Sequence, residues 1–597
     1  MNNTQEHTAD TPRWNLSPIY ESFSCDAYKN DVKKLHGAIE RFDRLCAGGF
    51  STPETLTGAL ELYENLASLY ENLQSYAYAR YSVNTSDAAS LKELGKLEEL
   101  DVPLSSAMTV FRNSLDEASA SIGNWRKNTP YLEPYGFFLE EQQKLRRHQM
   151  SPELENLAAD LGRSGGEAWS RLQQTVSSHL SGTWTNPATQ ETEEKTVIEL
   201  RSLAFDPDRA VRKAAYGKEL ELWKQVEIPM AAALNGVKGT AVTLNARRNW
   251  ETPIEKAVFQ SRLSEKALQA MISSMEAALP RFRSYLKKKA EYLNIPSCGF
   301  FDVFAPVASK GESKLWTFEE AKEFICNNFS GFSAELGDFA AYAFEHNWID
   351  AKPEKGKVGG AYCISYPLAK ESRILSNFTG TYSDVGTLAH ELGHAYHHHV
   401  LKDSRQTERE YPMTLAETAS IFCETIAFNG AMASEGMDKL LLVESFLQDS
   451  TQVIVDILSR FYFEKAVFEK RKEGELSPAD FCSLMTEAQR NTYGDGLDAE
   501  LLHPYMWAVK GHYYSPSLGF YNFPYAFGLL FGLGLYETYK SEGSGFVKTY
   551  DSLLSHTGNR NAIALCREAG FDIETEAFWN RGLDAVGYWI DRFISGV

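Results

Sequence analysis

Between Glu54 and Tyr81 the apolar side chains Leu56, Leu60, Tyr63, Ala67, Tyr70, Leu73 and Ala77 recur at steps of three and four. Such spacing lays one apolar stripe along a long helix. "TSDAASLKELGKLEEL" follows, with Ser or Asp ahead of the next periodic run, which predicts a helix start. "FDPDRAVRKAAYGKELELW" repeats the signal, with Asp206 as the expected cap and Pro207 suited to the first turn. Alternation, the strand signal, is sparse. It predicts a hairpin near 182–197 around Asn186-Pro187, and a strand pair in "GGAYCISYP" and "RILSNFTG" on either side of "LAKES". The expected architecture is mainly α with a small sheet. A boundary falls near 180–200, with no Pro/Gly/Ser-rich linker and no internal repeat. The most apolar stretch, residues 523–536, is too short to span a bilayer and is expected to be a buried helix.

The small sheet would end just before "TLAHELGHAYHHH", where five histidines stand in a chain that has 13. His390 and His394 are four apart with Glu391 between them, so on a helix both imidazoles can address one ion. Glu391 projects about 100° away, within reach of a water on that ion. His397 shares the face of His390 but lies ~10 Å along the axis, while a zinc–nitrogen bond spans ~2 Å. The arrangement that brings in a third histidine through a downstream glycine is absent, because His397 and Val400 occupy those positions. His397, His398 and His399 are therefore expected behind the ligands or in solvent.

A third ligand must come from another element. "YPMTLAETASIFCETIAFNG" predicts a helix with Leu415, Ala419, Phe422, Cys423 and Ile426 on its apolar stripe. Glu417 and Glu424 stand two turns apart on one face, among apolar neighbours where unpaired carboxylates are costly. Thr414-x-x-Glu417 also fits a capping box, which would account for Glu417 and leave Glu424 without a partner. Two histidines and one glutamate around zinc, with water in the fourth position, is a catalytic arrangement rather than a structural one. The ion acidifies its water and polarises a carbonyl. Glu391 takes the proton and returns it to the departing amine.

Bulk properties narrow the class. At 597 residues the chain exceeds one core. A net charge of −20 argues against nucleic acid or an anionic membrane as partner. The eight cysteines are scattered with no Cys-x-x-Cys, and the N-terminus lacks a basic start and an apolar run. A cytoplasmic setting is expected.

These residues resemble the M3 zinc peptidases, specifically the oligoendopeptidase F branch. "TLAHELGHAYH" is similar to the zinc helix of that family and "TLAETASIFCE" to its ligand-bearing second helix. "RWNLSPIYESF" and "NPATQETEEKTVIELRSLAFDPDRAVRKAAY" extend the likeness over nearly the whole chain. The resemblance implies a two-lobed helical fold with a deep central cleft and the small β-sheet near the active site. It implies an N-terminal helical region over 1–195 and a catalytic region over 196–597. It also implies one Zn2+ per chain held by His390, His394 and Glu417, with Glu424 orienting a histidine from behind, and cleavage inside short unstructured oligopeptides. On a late loop, "KGHYYSPSLGFYNFPYAFG", it places His512 and Tyr525 as catalytic donors, with Tyr521 and Tyr514 as alternatives at the substrate. Gly359 and Gly360 match a glycine segment beside the cleft, where a strand edge can pair with an extended substrate. The competing functions are a zinc carboxypeptidase, which needs a cation such as Arg373, Lys370 or Lys510 for the terminal carboxylate, and a peptide binder without catalysis. A scaffold has no use for a base at Glu391.

Overall fold

The computed structural model describes residues 11–307 and 314–597, and helices dominate them. The first ten residues, part of the stretch in which no leader is expected, lie outside the described residues. Local chemistry sets the helix starts. Thr52 accepts the Thr55 N–H, and the Thr55 hydroxyl oxygen accepts the Thr52 N–H, at the head of helix Pro53–Ser82. Leu56, Leu60, Leu73 and Ala77 of the expected stripe are buried there. Asp87 caps Ala88–Glu98 by accepting the N–H groups of Ala89 and Ser90. The expected cap at Asp206 is corrected: Asp208 caps helix Arg209–Gln225 through the Ala210 N–H. Asp206 instead closes a turn by accepting the Asp208 N–H.

Among the described residues five strands form two sheets. β1 (Ser181–Thr185) and β2 (Thr192–Thr196) make the expected antiparallel hairpin. β3 (Ile349–Asp350), β4 (Tyr362–Tyr366) and β5 (Glu371–Leu375) form a second sheet in the order β3-β5-β4. β4 pairs antiparallel with β5, Ile364 opposite Arg373, and β3 runs parallel to β5. β5 starts at Glu371, inside the segment expected to be the turn, and β3 is too short to announce itself by alternation.

The chain divides into two compact units, each assembled from separated stretches. The first takes the described residues of Met1–Asn156, Lys314–Ser434 and Leu535–Phe571. Its N-terminal helices share an aromatic-rich core that includes Tyr20, Tyr28, Phe42, Tyr76 and Phe111, and Tyr366 of β4 joins it. The N-terminal strap is tied to the sheet region: Arg373 Nε donates to Asn15 O at 2.8 Å, and Ala351 N to Pro12 O at 2.9 Å.

The second unit takes the described residues of Leu157–Ser313, Glu435–Gly534 and Asp572–Val597. Three buried ion pairs brace it: Arg212 with Asp302 at 2.9 Å, Lys289 with Glu444 at 2.6 Å and Lys238 with Glu464 at 2.5 Å. Asp302 is fully buried and also receives Arg209 at 3.0 Å. Removing it strands the Arg212 guanidinium, itself 1% exposed. Asp302→Ala should therefore cost about 3–5 kcal/mol. Thermal melting should show a clear drop in Tm, and an unchanged Tm would deny the pair this role.

Candidate metal centre

The histidine helix, Tyr382–Val400, begins at a reciprocal cap: Thr381 Oγ1 accepts the Asp384 N–H, and Asp384 accepts those of Thr381 and Thr379. Its partner, Met413–Ala433, carries Glu417 and Glu424. Gly393, in the middle of the histidine motif, sets how close the two approach. A Cβ built on Gly393 would lie 2.5 Å from Ala419 O and 2.6 Å from Ser420 Cα. Backbone meets backbone there, so only glycine permits the contact.

That approach brings Glu417 to both imidazoles. Glu417 Oε2 lies 3.2 Å from His390 Nε2 and 3.3 Å from His394 Nε2. Ligand atoms at ~2.0–2.1 Å around a tetrahedral ion are separated by roughly 3.3 Å. The donor set fits a zinc-type cation in both chemistry and spacing, and it is the one such trio among the described residues. His390, His394 and Glu417 retain 25, 17 and 17% side-chain exposure, so the centre is reachable rather than sealed. The alternative of a capping box at Thr414 is not realised: Pro412 stands at the cap position, and the Glu417 carboxylate is turned to the histidines.

Glu424 stands behind His390, with Oε2 at 3.0 Å from Nδ1. An Nδ1–H donated to that carboxylate leaves the Nε2 lone pair aimed at the trio. Ser420 holds Glu417 by donating to Oε2 at 2.7 Å. Burial opposes charge on His390, yet its bonds to Glu417 and Glu424 and their charges raise its pKa well above the usual histidine value. Burial likewise works against Glu417, but its bonds to the two imidazoles hold its carboxyl far below the usual range. Glu391 is 6% exposed and lies outside the trio, and its Oε2 has no hydrogen-bond partner among the described residues. Burial raises its pKa, while His390 and His394 pull it back down.

The other three histidines are anchors, and the expectation of solvated side chains fails for His397. That residue is fully buried, stacked on Tyr411 at 4.2 Å and bonded through Nε2 to Thr557 Oγ1 at 2.8 Å. Burial pushes its pKa down to about 3, so it packs as a neutral ring. His398 Nδ1 meets Ser372 Oγ of β5 at 3.0 Å. His399 lies on Phe339, ring centroids 4.8 Å apart. Together they fix the far end of the histidine helix.

Gly359 and Gly360 precede β4, an edge strand, and Gly360 has φ +80°. The late-loop residues belong to the second unit. Burial, with the charges of Arg460, Lys510 and Lys238, drives His512 down to about 2, so its ring is neutral; its Nε2 is buried without a partner. The Tyr521 and Tyr525 hydroxyls are 2.9 Å apart, and the Tyr521 ring stacks on His512 at 5.9 Å. Tyr514 is fully buried with its hydroxyl 3.5 Å from Met230 O, which gives it a packing role and withholds it from a substrate. Sequence reasoning passed over Gly393, Ser420 and Ser372. A glycine inside a helix was the signal available for the first.

Two outcomes follow from this geometry. Gly393→Ala forces the helices apart, so bound metal per chain should fall well below that of the parent while the circular-dichroism spectrum stays helical. Retention of full metal content would show that the close approach does not set the site. The raised pKa of His390 means that a cation displaces a proton. Apparent metal affinity should therefore fall as pH drops below that pKa and level off above it. Calorimetry in two buffers of different ionisation enthalpy should register about one proton released per cation, and no release would contradict the assignment.

Comparison with known proteins places the chain in a family. The family model described as Peptidase family M3 matches residues 202–585, and that described as Oligopeptidase F matches 115–181. The oligopeptidase PepF of Bacillus subtilis is 22% identical over 571 residues, 94% of this chain and 83% of its own. The plasmid oligoendopeptidase F of Lactococcus lactis is 24% identical over 577 residues, 94% of this chain and 93% of its own. Among solved structures, oligoendopeptidase F from Enterococcus faecium superimposes with a TM-score of 0.71 at 16% identity, covering 95% of this chain and 98% of that one. At that identity the superposition speaks for the mainly α fold. The family models match well over half of the chain, and the trio falls inside the larger match: this chain belongs to peptidase family M3 and is a metalloendopeptidase of its oligoendopeptidase F branch.

Proposed function

We propose that the chain is a zinc-dependent endopeptidase that hydrolyses internal bonds of short, unstructured oligopeptides. The observation that carries this reading is a carboxylate oxygen 3.2 and 3.3 Å from two imidazole nitrogens, with a second, buried carboxylate close by whose Oε2 has no partner among the described residues. A zinc ion held by His390, His394 and Glu417 supplies Lewis acidity towards a carbonyl and an acidified water. The chain's own residues do the rest. Glu391 Oε2 accepts a proton from the attacking water and returns it to the leaving amine; burial supports that role by raising its affinity for the proton. Glu424 keeps the His390 ring in one tautomer.

The edge of β4 that no strand pairs among the described residues, with Gly359 and Gly360 leading into it, suits an extended peptide laid along the strand. His512 and Tyr525, taken from the family likeness, serve as donors to the developing oxyanion, and the neutral state of His512 supports donation through a ring N–H. Tyr521, bonded to Tyr525, orients it. All eight cysteines are free, which suits the cytoplasm, and no helix among the described residues is long and apolar enough to cross a membrane.

A carboxypeptidase reading loses two of its three cations. Arg373 is 1% exposed and spent on Asn15 O, Ser372 O and Glu371. Lys370 pairs with Asp403.

Glu391→Gln should keep its metal and lose about 10²–10⁴ in kcat, read on an internally quenched peptide with fragments identified by mass. Parental turnover in that variant would remove the base. Tyr525→Phe and His512→Ala should each lower kcat by about 10²–10³ with little change in metal content. Unchanged kcat in both would return the loop to a packing role.

A further inference from the structure

The second unit holds a cavity of about 260 Å³ that the peptidase reading does not use. Its walls are aromatic. Phe300 and Phe301 are buried, while Phe205, 59% exposed, stacks near Phe304 at 5.1 Å where the cavity meets solvent. Set into these walls are polar groups whose hydrogen-bonding capacity is unspent.

Lys510 lines the cavity, and its ammonium makes no hydrogen bond or ion pair among the described residues. Burial, helped by the charge of Arg460, pushes it down to about 7 against the opposing pull of Asp456 and Glu219. Arg201 gives Nη1 to Glu219 at 3.1 Å and keeps the rest of its fork free. The other lining charges are settled. Glu219 is matched by Arg201 and His503. Arg212 is consumed by Asp302 and by the carbonyls of Asp206 and Pro207. Asp456 and Glu219 act on Lys510 from a distance, but each carboxylate is already paired with an arginine, so Lys510 has no direct partner of its own among the described residues.

Two further groups are open. His503 is 1% exposed. Its Nε2 lies 3.3 Å from Glu219 Oε1 and 3.5 Å from Arg201 Nη1; the closer carboxylate can only accept, which assigns the proton to Nε2 and leaves the buried Nδ1 as a lone-pair acceptor with no partner among the described residues. Burial keeps the ring neutral by lowering its pKa. Gln452 lines the cavity from the first position of a π-helical turn, Gln452–Asp456, and its side-chain amide has no partner among the described residues. Such turns cost stability and occur mostly where a site is being shaped. An apolar pocket with a few convergent polar groups is the usual form of a small-ligand site.

We infer that this cavity binds the C-terminal residue of a peptide: the carboxylate on Lys510 and Arg201, the residue's N–H on His503 Nδ1, and an apolar side chain among the phenylalanines. Each unspent group then has a complement. The volume admits one residue rather than a chain, and the single net positive charge matches one carboxylate. This site is independent of the metal centre, because none of the three contacts involves the trio or Glu391.

Isothermal titration of the full chain with N-acetyl-L-phenylalanine tests the assignment. The probe holds no bond between two amino-acid residues, so turnover does not enter and failure of the peptidase reading would leave the result intact. Saturable binding is expected. The carboxamide of the same probe should bind at least about tenfold more weakly, as should the acid to Lys510→Met, since each loses a charge-assisted bond. 3-Phenylpropionate, which lacks the N–H, should bind several-fold more weakly, and Phe205→Ala should also weaken binding. No binding of the acid up to about 10 mM, or equal binding of acid and amide to the parent chain, would overturn the inference. The second criterion needs no variant to fold.

Discussion

One steric fact governs the metal centre. Two helices touch backbone to backbone at Gly393, and nothing larger than a hydrogen atom fits between that residue and Ala419 O. The contact occurs within the turn that separates His390 from His394, so the carboxylate arriving from the second helix meets both imidazoles at once. Glu417 Oε2 ends within 0.1 Å of equidistant from the two Nε2 atoms, at 3.2 and 3.3 Å. Without the close approach, two stacked histidines and a glutamate would be ordinary polar residues on separate helix faces.

The surroundings hold that meeting in place by cheap, local means. Ser420 fixes one oxygen of Glu417 and Glu424 fixes the tautomer of His390. The C-terminal end of the histidine helix is held by Thr557 through His397 and by β5 through His398. Neutral buried rings suit this purpose, because a charge there would repel the cation the site is built for. His390 stands between two carboxylates, Glu417 on its Nε2 side and Glu424 on its Nδ1 side, and both raise its affinity for a proton.

Much of this was readable in the chain. The four-residue spacing of His390 and His394 and the seven-residue spacing of Glu417 and Glu424 follow helical geometry, and helical geometry is local. The hairpin at Asn186-Pro187 and the β4–β5 pair announced themselves through alternation and turn residues. The cap at Asp206 misled because Asp206 and Asp208 are equivalent by composition, and only the backbone path selects one. Anchoring of His397 was invisible: Thr557 is 160 residues away, and no periodicity encodes a partner at that distance. The late-loop tyrosines illustrate the same limit. Tyr514 and Tyr521 sit in one aromatic run, yet the first is sealed in the core and the second is partly open. Arg373 likewise looked like an available cation, and the strap at Asn15 consumes it.

The central claim is that three side chains from two helices share one cation. Elemental analysis of purified chain, compared with Glu417→Ala prepared identically, tests it most directly. The account predicts about one zinc per chain in the parent and loss of nearly all of it in the variant. Equal metal content in the two, or no transition metal in the parent even after resupply, would contradict it.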